Sequence, residues 1–479
     1  MNDRPSDGTA LLVCDQGFAA RLLLRTDVLP TLQAAGMRVV ALVPNPDEQY
    51  LREEMDRRGV RLEQLQVDAS SPRSSRRWWL LYNLRLATLA HGDQSRALTE
   101  KRRNLPRWAA ALTWLLARSR RLRLALVAAE TAVTPAPHAE LFARLDPDLV
   151  ITTSPGWFLP DAVVLREAAR RAIPTAVAVL SWDNPTSKGY RGALPDRIAA
   201  WSARMAEQLV RHHDLPAERI AVAGVPHFDP YLREDGLPSR EELCALLELD
   251  PARRIVVYAT ASPGTFDDNQ RIAETLADAV EDGSLPDTQL VVRLHPNVLH
   301  PSYIRPLEDW RALAATHEHV HLDVPEVRSQ RLRCDAPASD TARAQALVRH
   351  CDVLVNMFST TTLEGLLAGR PVVLVTSTAH RDGAGVSPWL AYEHVRAVVR
   401  SAAVRVAASR AQLIEEVSAA LAAPARGDGA GALVAAAELG PLDGRSGERV
   451  AHVLLGRGQP QEPWAASGSA SAQPASGRP

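Results

Sequence analysis

The amino-acid sequence predicts an α/β protein built from two parallel-sheet domains that face each other across a cleft. Its 479 residues are enough for two such domains. Short runs of β-branched residues alternate with helical patterns, which is typical of βαβ units. The alternation pauses at a polar stretch with proline and glycine, residues 233–239, and then begins again. We therefore expect an N-terminal domain over 1–232 and a C-terminal domain over 233–423.

The strands follow one another in a regular order. In the first domain they are expected at 10–16, 38–43, 61–67, 148–154, 174–182, 197–202 and 219–224. In the second domain they are expected at 254–260, 289–295, 320–324, 353–359 and 371–376. A helix over 18–35 follows the first strand and ends at Gly36. Beyond the second domain, 424–456 is expected to form a linker and a terminal helix, and 457–479 a disordered tail.

Composition excludes several classes of protein. The chain has 55 basic and 56 acidic residues, and a net charge of −1 argues against a nucleic-acid-binding field over the whole chain. The four cysteines form no CxxC pair, which indicates reduced thiols in a cytoplasmic protein. The N-terminus has no apolar signal-peptide core, and no run of about 18 apolar residues predicts a spanning helix.

The near-neutral charge hides a basic segment. Residues 73–123 hold 13 basic and 2 acidic side chains, a net charge of +11, and four of the ten tryptophans. We interpret about 73–131 as a helical insertion in the first domain. Its arginines flank apolar runs: Arg76, Arg77, Arg102, Arg103, Arg120, Arg121 and Arg123. The composition suits a surface helix on anionic lipid, and equally a helical subdomain with tryptophans in its core. Nucleic-acid binding is disfavoured because no known binding module accompanies the segment.

Ligands bind at the carboxyl ends of parallel strands, so the residues that follow each strand were compared. The strongest pattern is a buried strand that runs into Ser359, Thr360 and Thr361 at the start of a helix. Free N–H groups and the positive end of the helix dipole suit a phosphate there. The alternative is a capping box with Thr361 as cap and Glu364 three residues later. Both can hold, because a cap shapes the terminus that binds the anion.

Two further patterns lie in the second domain. Arg293 and His295 lie two residues apart at the end of one strand, and His295 is a candidate general acid or base, or a donor to a phosphate oxygen. The alternative for His295 is a hydrogen bond to nearby backbone. Ser262 and Gly264 follow the first strand of this domain, where small residues let a ligand approach the backbone.

The first domain offers a second group of candidates. Asp183 follows a hydrophobic strand and is a candidate base for a hydroxyl substrate. Lys188 is one of only two lysines in the chain, which hints at a specific ammonium role. Five other residues follow strands of this domain and are expected to line the same cleft: Gly17, Arg21, Ser154, Asn184 and Thr186.

Common phosphate-binding and nucleophile motifs are missing from the sequence. It contains no GxxxxGK[ST] and no GxSxG pattern, and its one match to HExxH is the segment 317–321. His317, His319 and His321 alternate, but a solvated strand edge explains them better than a zinc site, because no further ligand cluster accompanies them. We predict no bound metal.

Together these features resemble the GT-B glycosyltransferase architecture over roughly residues 9–456. The Arg-Leu-His-Pro run at 293–296 and the Ser-Thr-Thr-Thr-Leu-Glu-Gly run at 359–365 look like those of the CDP-glycerol glycerophosphotransferase and bacterial surface-polysaccharide transferase group. Phrases at 224–229 and 443–449 are similar to phrases in the same group. Non-hydrolysing UDP-sugar 2-epimerases share this fold, but they have two glycines where this chain has threonines.

The resemblance implies that the two domains bind different substrates. The second domain would bind a nucleotide-linked donor, with Ser359, Thr360 and Thr361 on the diphosphate, Glu364 on the ribose or sugar, and His295 with Arg293 on the leaving phosphate. The first domain would carry the hydroxyl acceptor. Such enzymes usually need no metal, because helix dipoles and cations stabilise the departing diphosphate, and we expect no cofactor.

The resemblance therefore predicts a transferase. It would move a glycosyl or glycerophosphoryl group to a hydroxyl of a glycan, a lipid-linked acceptor or a small molecule. The alternatives are a UDP-sugar 2-epimerase and a non-catalytic sugar-binding or scaffold protein at the membrane periphery. The expected location is the cytoplasm, with peripheral contact at the inner face of the membrane through 73–123.

Overall fold

The structure is a computed structural model that describes residues 8–89, 105–233, 236–263, 268–300, 307–376, 390, 392–422 and 429–457. Gly264 and the predicted tail from residue 458 lie outside these residues, as do residues 90–104 of the basic segment. All predictions about them remain predictions.

Two parallel sheets form the two domains, which confirms the predicted fold class. The first has seven strands in the order β3-β2-β1-β4-β5-β6-β7, and the second has six in the order β10-β9-β8-β11-β12-β13. The first sheet comprises β1 Thr9–Val13, β2 Arg38–Val43, β3 Arg61–Gln64, β4 Leu149–Thr152, β5 Thr175–Ala178, β6 Arg197–Ala200 and β7 Ile220–Val222. The second comprises β8 Arg254–Ala259, β9 Thr288–Arg293, β10 Val320–Asp323, β11 Val353–Asn356, β12 Val372–Val375 and β13 Arg405–Ala407.

Helices cover both faces of each sheet. Those of the first domain are α1 Gly17–Leu24, α2 Val28–Ala34, α3 Gln49–Arg57, α4 Arg76–Leu86, α5 Arg107–Arg118, α6 Arg120–Val133, α7 Ala139–Leu145, α8 Leu159–Arg170, α9 Asn184–Ser187, α10 Ala203–His213 and α11 Asp229–Leu232. Those that follow are α12 Arg240–Leu247, α13 Asn269–Glu281, α14 Leu307–Thr316, α15 Ala338–His350, α16 Thr360–Leu367, α17 Glu393–Arg400, α18 Arg410–Ala422, α19 Ala430–Leu439 and α20 Ser446–Leu455. In β1, Leu12 packs in one core cluster and Leu11 in another, because parallel strands are buried on both sides.

The structure differs from the sequence prediction at two elements. The predicted helix over 18–35 is two helices, because Thr26 interrupts it. The Thr26 hydroxyl donates to Leu22 O at 2.7 Å and accepts from Val28 N at 3.3 Å, so a side chain replaces backbone hydrogen bonds. The strand β13 was not predicted, since three residues at a sheet edge carry too short an apolar pattern.

The two domains meet at the turn between β1 and α1. Gly17 N donates to Arg333 O at 2.8 Å, and a Cβ built on Gly17 would lie 2.4 Å from backbone atoms of Asp335. Asp335 is fully buried and accepts from Arg25 Nη1 at 2.5 Å and from the Tyr50 hydroxyl at 2.6 Å. A glycine is therefore required for the approach of the second domain.

The C-terminal helix α20 returns to the first domain. Asp229 accepts from the backbone N–H groups of Ser446 at 3.0 Å and Gly447 at 2.9 Å, which caps the start of α20. Near the other end of α20, Arg197 Nη1 donates to Leu454 O at 3.0 Å. These contacts give the domains a second connection besides the chain segment between β7 and β8.

We expect Gly17→Ala to lower the stability of the protein by about 1–3 kcal/mol, because its methyl group would overlap rigid backbone of the second domain. Gly431→Ala is the control, since its Cβ would lie 3.5 Å from Leu366 Cδ2 and 4.0 Å from Leu366 O, which are ordinary contacts. Urea unfolding of both variants measures the difference. Equal midpoints for Gly17→Ala and the parent protein would contradict a tight contact at this turn.

Candidate functional site

A cavity of about 340 Å³ lies where the carboxyl ends of β8, β9 and β11 face α1 of the first domain. This volume falls within the range of small-molecule sites. Nine residues predicted from the sequence line it: Gly17, Arg21, Ser262, Arg293, His295, Ser359, Thr360, Thr361 and Glu364. The structure thus brings the predicted residues of the second domain together and adds two from the first.

The start of α16 forms one wall of the cavity. Ser359 has extended backbone and caps the helix, with its hydroxyl accepting from Thr361 N at 3.2 Å. The partner in the capping box is Thr362, whose hydroxyl accepts from Ser359 N at 3.4 Å. The box therefore uses Ser359 and Thr362 rather than Thr361 and Glu364, because the cap lies two residues before the predicted one. Thr361 and Glu364 are left to face the cavity.

Arg21 reaches the same cavity from α1 of the first domain. Its Nε is buried and has no hydrogen-bond partner among the described residues, and burial lowers the pKa of its guanidinium. The nearby Glu364 acts in the opposite direction, because a negative charge favours the charged guanidinium. A half-buried guanidinium whose Nε has no hydrogen-bond partner among the described residues is suited to an anionic ligand.

Glu364 lies on the second turn of α16. Its carboxylate accepts from the Tyr231 hydroxyl at 2.7 Å, and burial raises its pKa above the ordinary value. Tyr231 thus orients one carboxylate oxygen of Glu364, and Glu364 lines the cavity. This geometry suits a carboxylate that accepts a hydrogen bond from a ligand hydroxyl.

His295 begins the turn after β9. Burial, with Arg293 beside it, lowers the pKa of His295 to about 4, so its imidazole is neutral at pH 7. Its Nδ1 accepts from Asn297 N at 3.1 Å, which places the single ring proton on Nε2. The backbone hydrogen bond that the sequence left as an alternative is present, and Nε2 is still a donor for a ligand.

Arg293 lines the cavity but its charge is already matched. Its guanidinium donates to Asp323 Oδ2 at 2.7 Å and to Asp340 Oδ2 at 2.6 Å. Arg343 donates to Asp340 Oδ1 at 2.6 Å. Arg293 therefore anchors the end of β9 to α15 and holds the backbone that presents His295.

The remaining candidates of the first domain lie elsewhere. The residues that line the cavity do not include Asp183, Ser154, Asn184, Thr186 or Lys188. Ser154 donates to Asp161 Oδ2 at 2.7 Å inside the first domain. Thr186 pairs with His394 Nδ1 at 2.7 Å, so this group faces α17 of the second domain instead.

Asp183 is held as a stable carboxylate. It accepts from the hydroxyls of Ser181 at 2.6 Å and Ser187 at 2.5 Å, and Lys188 Nζ lies 3.9 Å away. Burial acts to raise the pKa of Asp183, but Lys188, His394 and these hydroxyls outweigh it and lower the pKa to about 2. A carboxylate with such a low pKa is a weak base.

Sequence reasoning missed two groups. Tyr231, the partner of Glu364, lies in the phrase that follows β7, and only the fold shows that this phrase reaches the cavity. Asp15 lies two residues after the end of β1, where its position was a usable signal. Burial raises the pKa values of Asp15 and Asp161, and each carboxylate has one buried oxygen without a hydrogen-bond partner among the described residues.

Two other kinds of feature are absent from the part of the chain that the structure describes. Within it, no group of three or more His, Cys, Asp and Glu side chains is arranged to hold a metal ion. Of the helices that can be described, not one combines the length and the apolar character needed to cross a membrane.

Two facing parallel-sheet domains, joined by a returning C-terminal helix around a cavity at the strand ends, define a GT-B-like fold. Solved structures with this fold match nearly the whole chain. No protein-family model and no curated protein matches it.

Three of these structures are the following. UDP-GlcNAc 2-epimerase from Neisseria meningitidis, bound to UDP-GlcNAc, is 11% identical with a TM-score of 0.54, covering 94% of this chain and 100% of that one. MnaA from S. aureus, with UDP, is 12% identical with a TM-score of 0.54, covering 94% and 97%. UDP-GlcNAc 2-epimerase from Methanocaldococcus jannaschii is 10% identical with a TM-score of 0.50, covering 93% and 99%. At these identities the likeness establishes the fold.

The pKa of His295 predicts a pH dependence of stability. An unfolded histidine titrates at about 6.5, so between about pH 6.5 and 4 the unfolded state binds more protons, and stability falls as the pH falls. For His295 alone the loss is on the order of 3 kcal/mol. Thermal unfolding from pH 7 to pH 4 should show a shallower decline for His295→Gln than for the parent protein. Parallel curves would contradict a His295 that stays neutral in the folded protein.

Proposed function

We propose that the protein is an enzyme that acts on a nucleotide-diphosphate-linked sugar, with the diphosphate bound between the start of α16 and Arg21. The observation that carries this proposal is the buried, unpartnered Nε of Arg21 in a cavity whose opposite wall is a helix N-terminus. Backbone N–H groups, a positive dipole end and a guanidinium are complementary to a diphosphate. Ser359 shapes this terminus, and the hydroxyls of Thr360 and Thr361 can add donors.

Glu364 and His295 would act on the two ends of the diphosphate. Glu364, oriented by Tyr231, would accept a hydrogen bond from a ribose or sugar hydroxyl. His295, neutral with its proton on Nε2, would donate to a phosphate oxygen. Bound phosphate would raise the pKa of His295, because a nearby negative charge favours the imidazolium.

Cleavage of the bond between sugar and diphosphate leaves negative charge on the phosphate oxygens. Arg21, the α16 dipole and His295 would stabilise that charge electrostatically. The low dielectric of the cavity strengthens each of these interactions. This role is common to every reaction in which the diphosphate departs.

We propose 2-epimerisation as the reaction. It is supported by the likeness of this chain, over 94% of its length, to an epimerase bound to UDP-GlcNAc. Epimerisation needs a proton to leave C2 of the sugar and return on the opposite face. Glu364 is a titratable group of the cavity that could accept that proton.

Group transfer to a hydroxyl acceptor is the second candidate. It is supported by the resemblance of 293–296 and 359–365 to the surface-polysaccharide transferase group, and by the threonines that stand where epimerases have glycines. Asp183 remains the candidate base for this reaction. Its position outside the cavity lining and its low pKa weigh against the role in the structure as it stands.

Nucleotide binding is tested by thermal shift with UDP, CDP, GDP, ADP and dTDP. A nucleotide at a hundredfold excess over its Kd should stabilise the protein by about 2.7 kcal/mol. Arg21→Gln should weaken binding of that nucleotide about tenfold to a hundredfold, because it removes charge-assisted hydrogen bonds. Arg271→Gln, on the exposed side of α13, is the control and should bind as the parent does. An absence of response to every nucleotide would contradict the proposed site.

The reaction is tested with UDP-GlcNAc and no acceptor, followed by NMR of the sugar protons. Epimerisation predicts formation of the 2-epimer, with at least a hundredfold loss of rate in His295→Gln and Glu364→Gln. If UDP binds and no epimer forms, transfer to an acceptor replaces epimerisation as the leading reaction. If the nucleotide binds but UDP-GlcNAc is not converted either without or with a hydroxyl acceptor, the non-catalytic alternative is supported.

A further inference from the structure

The outer face of α5 exposes large apolar side chains to solvent. Trp108 and Trp114 are each 58% exposed and Leu115 is 50% exposed. At 100° per residue these three side chains and those of Arg107 and Arg118 fall within one arc of about 120°. We name these five residues the α5 surface. Soluble proteins seldom expose contiguous apolar groups of this size without a partner.

The opposite face of α5 is already packed. Ala109 and Leu116 lie in a small core with Leu84 of α4 and Leu126 of α6. Thr113 and Ala117 on the same side are buried as well. The tryptophans of the α5 surface are therefore not needed for the core of the helical segment.

The segment around the α5 surface carries charge of one sign. Seven arginines are exposed: Arg73, Arg76, Arg77, Arg107, Arg118, Arg120 and Arg121. Within residues 73–89 and 105–134, which the structure describes, the single carboxylate is Glu130, and it is buried against Arg85 at 2.5 Å. Arg123, counted with the surface arginines from sequence, is instead buried against Asp214 at 2.8 Å.

Tryptophan and arginine are interleaved on this surface. The Arg118 guanidinium lies 3.3 Å from the centre of the Trp114 ring, which holds the cation beside the ring. Trp79 of α4 is 48% exposed and, with Arg73, Arg76, Arg77 and Leu80, borders a shallow depression. Arginine side chains that reach phosphates, next to tryptophans that enter the headgroup region, are the combination that interfacial helices use.

We propose that the α5 surface docks on an anionic lipid bilayer, with α5 lying in the plane of the headgroups. The exposed arginines complement a negative surface, and the 12-residue helix that carries the apolar side chains is about 18 Å long. The surface binds lipid phosphates through Arg107 and Arg118 and buries Trp108, Trp114 and Leu115. This binding is independent of the proposed function, because none of these residues lines the cavity.

Vesicle sedimentation tests the proposal, with vesicles of phosphatidylcholine alone and of phosphatidylcholine with 30% phosphatidylglycerol as probes. The full-length protein should sediment with the anionic vesicles at 0.1 M salt and be released at 1 M salt, because the Debye length falls from about 10 Å to about 3 Å. Arg107→Gln with Arg118→Gln should weaken binding about thirtyfold, at about fivefold for each charge.

The apolar part of the proposed bilayer contact is tested with a second set of variants. Trp108→Ser with Trp114→Ser should weaken binding at least tenfold. Leu246→Ser with Leu433→Ser, at positions on α12 and α19 that are 58% and 71% exposed, should leave it unchanged. UDP binding and the thermal midpoint of each variant verify that the fold is intact.

Three results would overturn the proposal: equal binding to neutral and anionic vesicles, undiminished binding by the tryptophan variant, or no binding by the parent protein. If the parent does not bind vesicles but sediments as a dimer that Trp108→Ser with Trp114→Ser converts to a monomer, the occupant of the α5 surface is a second copy of the chain and the lipid assignment is wrong.

Discussion

The arrangement of the two domains depends on the contact between the β1–α1 turn and residues 333–335. Gly17 lets the backbones approach, and Asp335, fully buried, binds Arg25 and Tyr50 across the boundary. A buried carboxylate is stable only with such partners, so the two domains cannot separate there without exposing or orphaning charge. The same turn leads into α1 and places Arg21 opposite the start of α16. The cavity is thus a consequence of the domain contact.

Much of the fold and part of the candidate site could be predicted from local sequence pattern. Buried parallel strands are short apolar runs, so the sequence located them, and the serine and threonines after β11 lie where strand ends place ligands. Which strand ends share a cavity depends on contacts far apart in sequence. Arg25 and Asp335 are 310 residues apart, and Arg293 and Asp340 are 47 apart. Local sequence pattern could not predict that Arg293 forms ion pairs with Asp323 and Asp340, or that the segment of Asp183 faces α17.

The protonation state of His295 and the residues that cap α16 could not be predicted from local sequence pattern either. The sequence marks His295 as a titratable group, but its neutral state and its Nε2 proton follow from burial and from Asn297 N. One helix start can be capped in more than one register, and the choice of Ser359 with Thr362 decides that Glu364 meets Tyr231. The chemistry attributed to a residue therefore rests on hydrogen bonds that only the folded chain defines.

The basic segment separates into a buried part and an exposed part. Trp78 is buried and Arg85 pairs with Glu130, so part of the segment is a core, as a helical subdomain requires. Arg85 also donates to Gly156 O at 3.1 Å and Tyr190 O at 2.8 Å, which ties α4 to the first domain. Helices α5 and α6 pack against α4. The exposed tryptophans of α5 are consequently held on a packed helix. Because such a surface is already ordered, a partner that docks on it would lose less conformational entropy than one that binds a flexible segment.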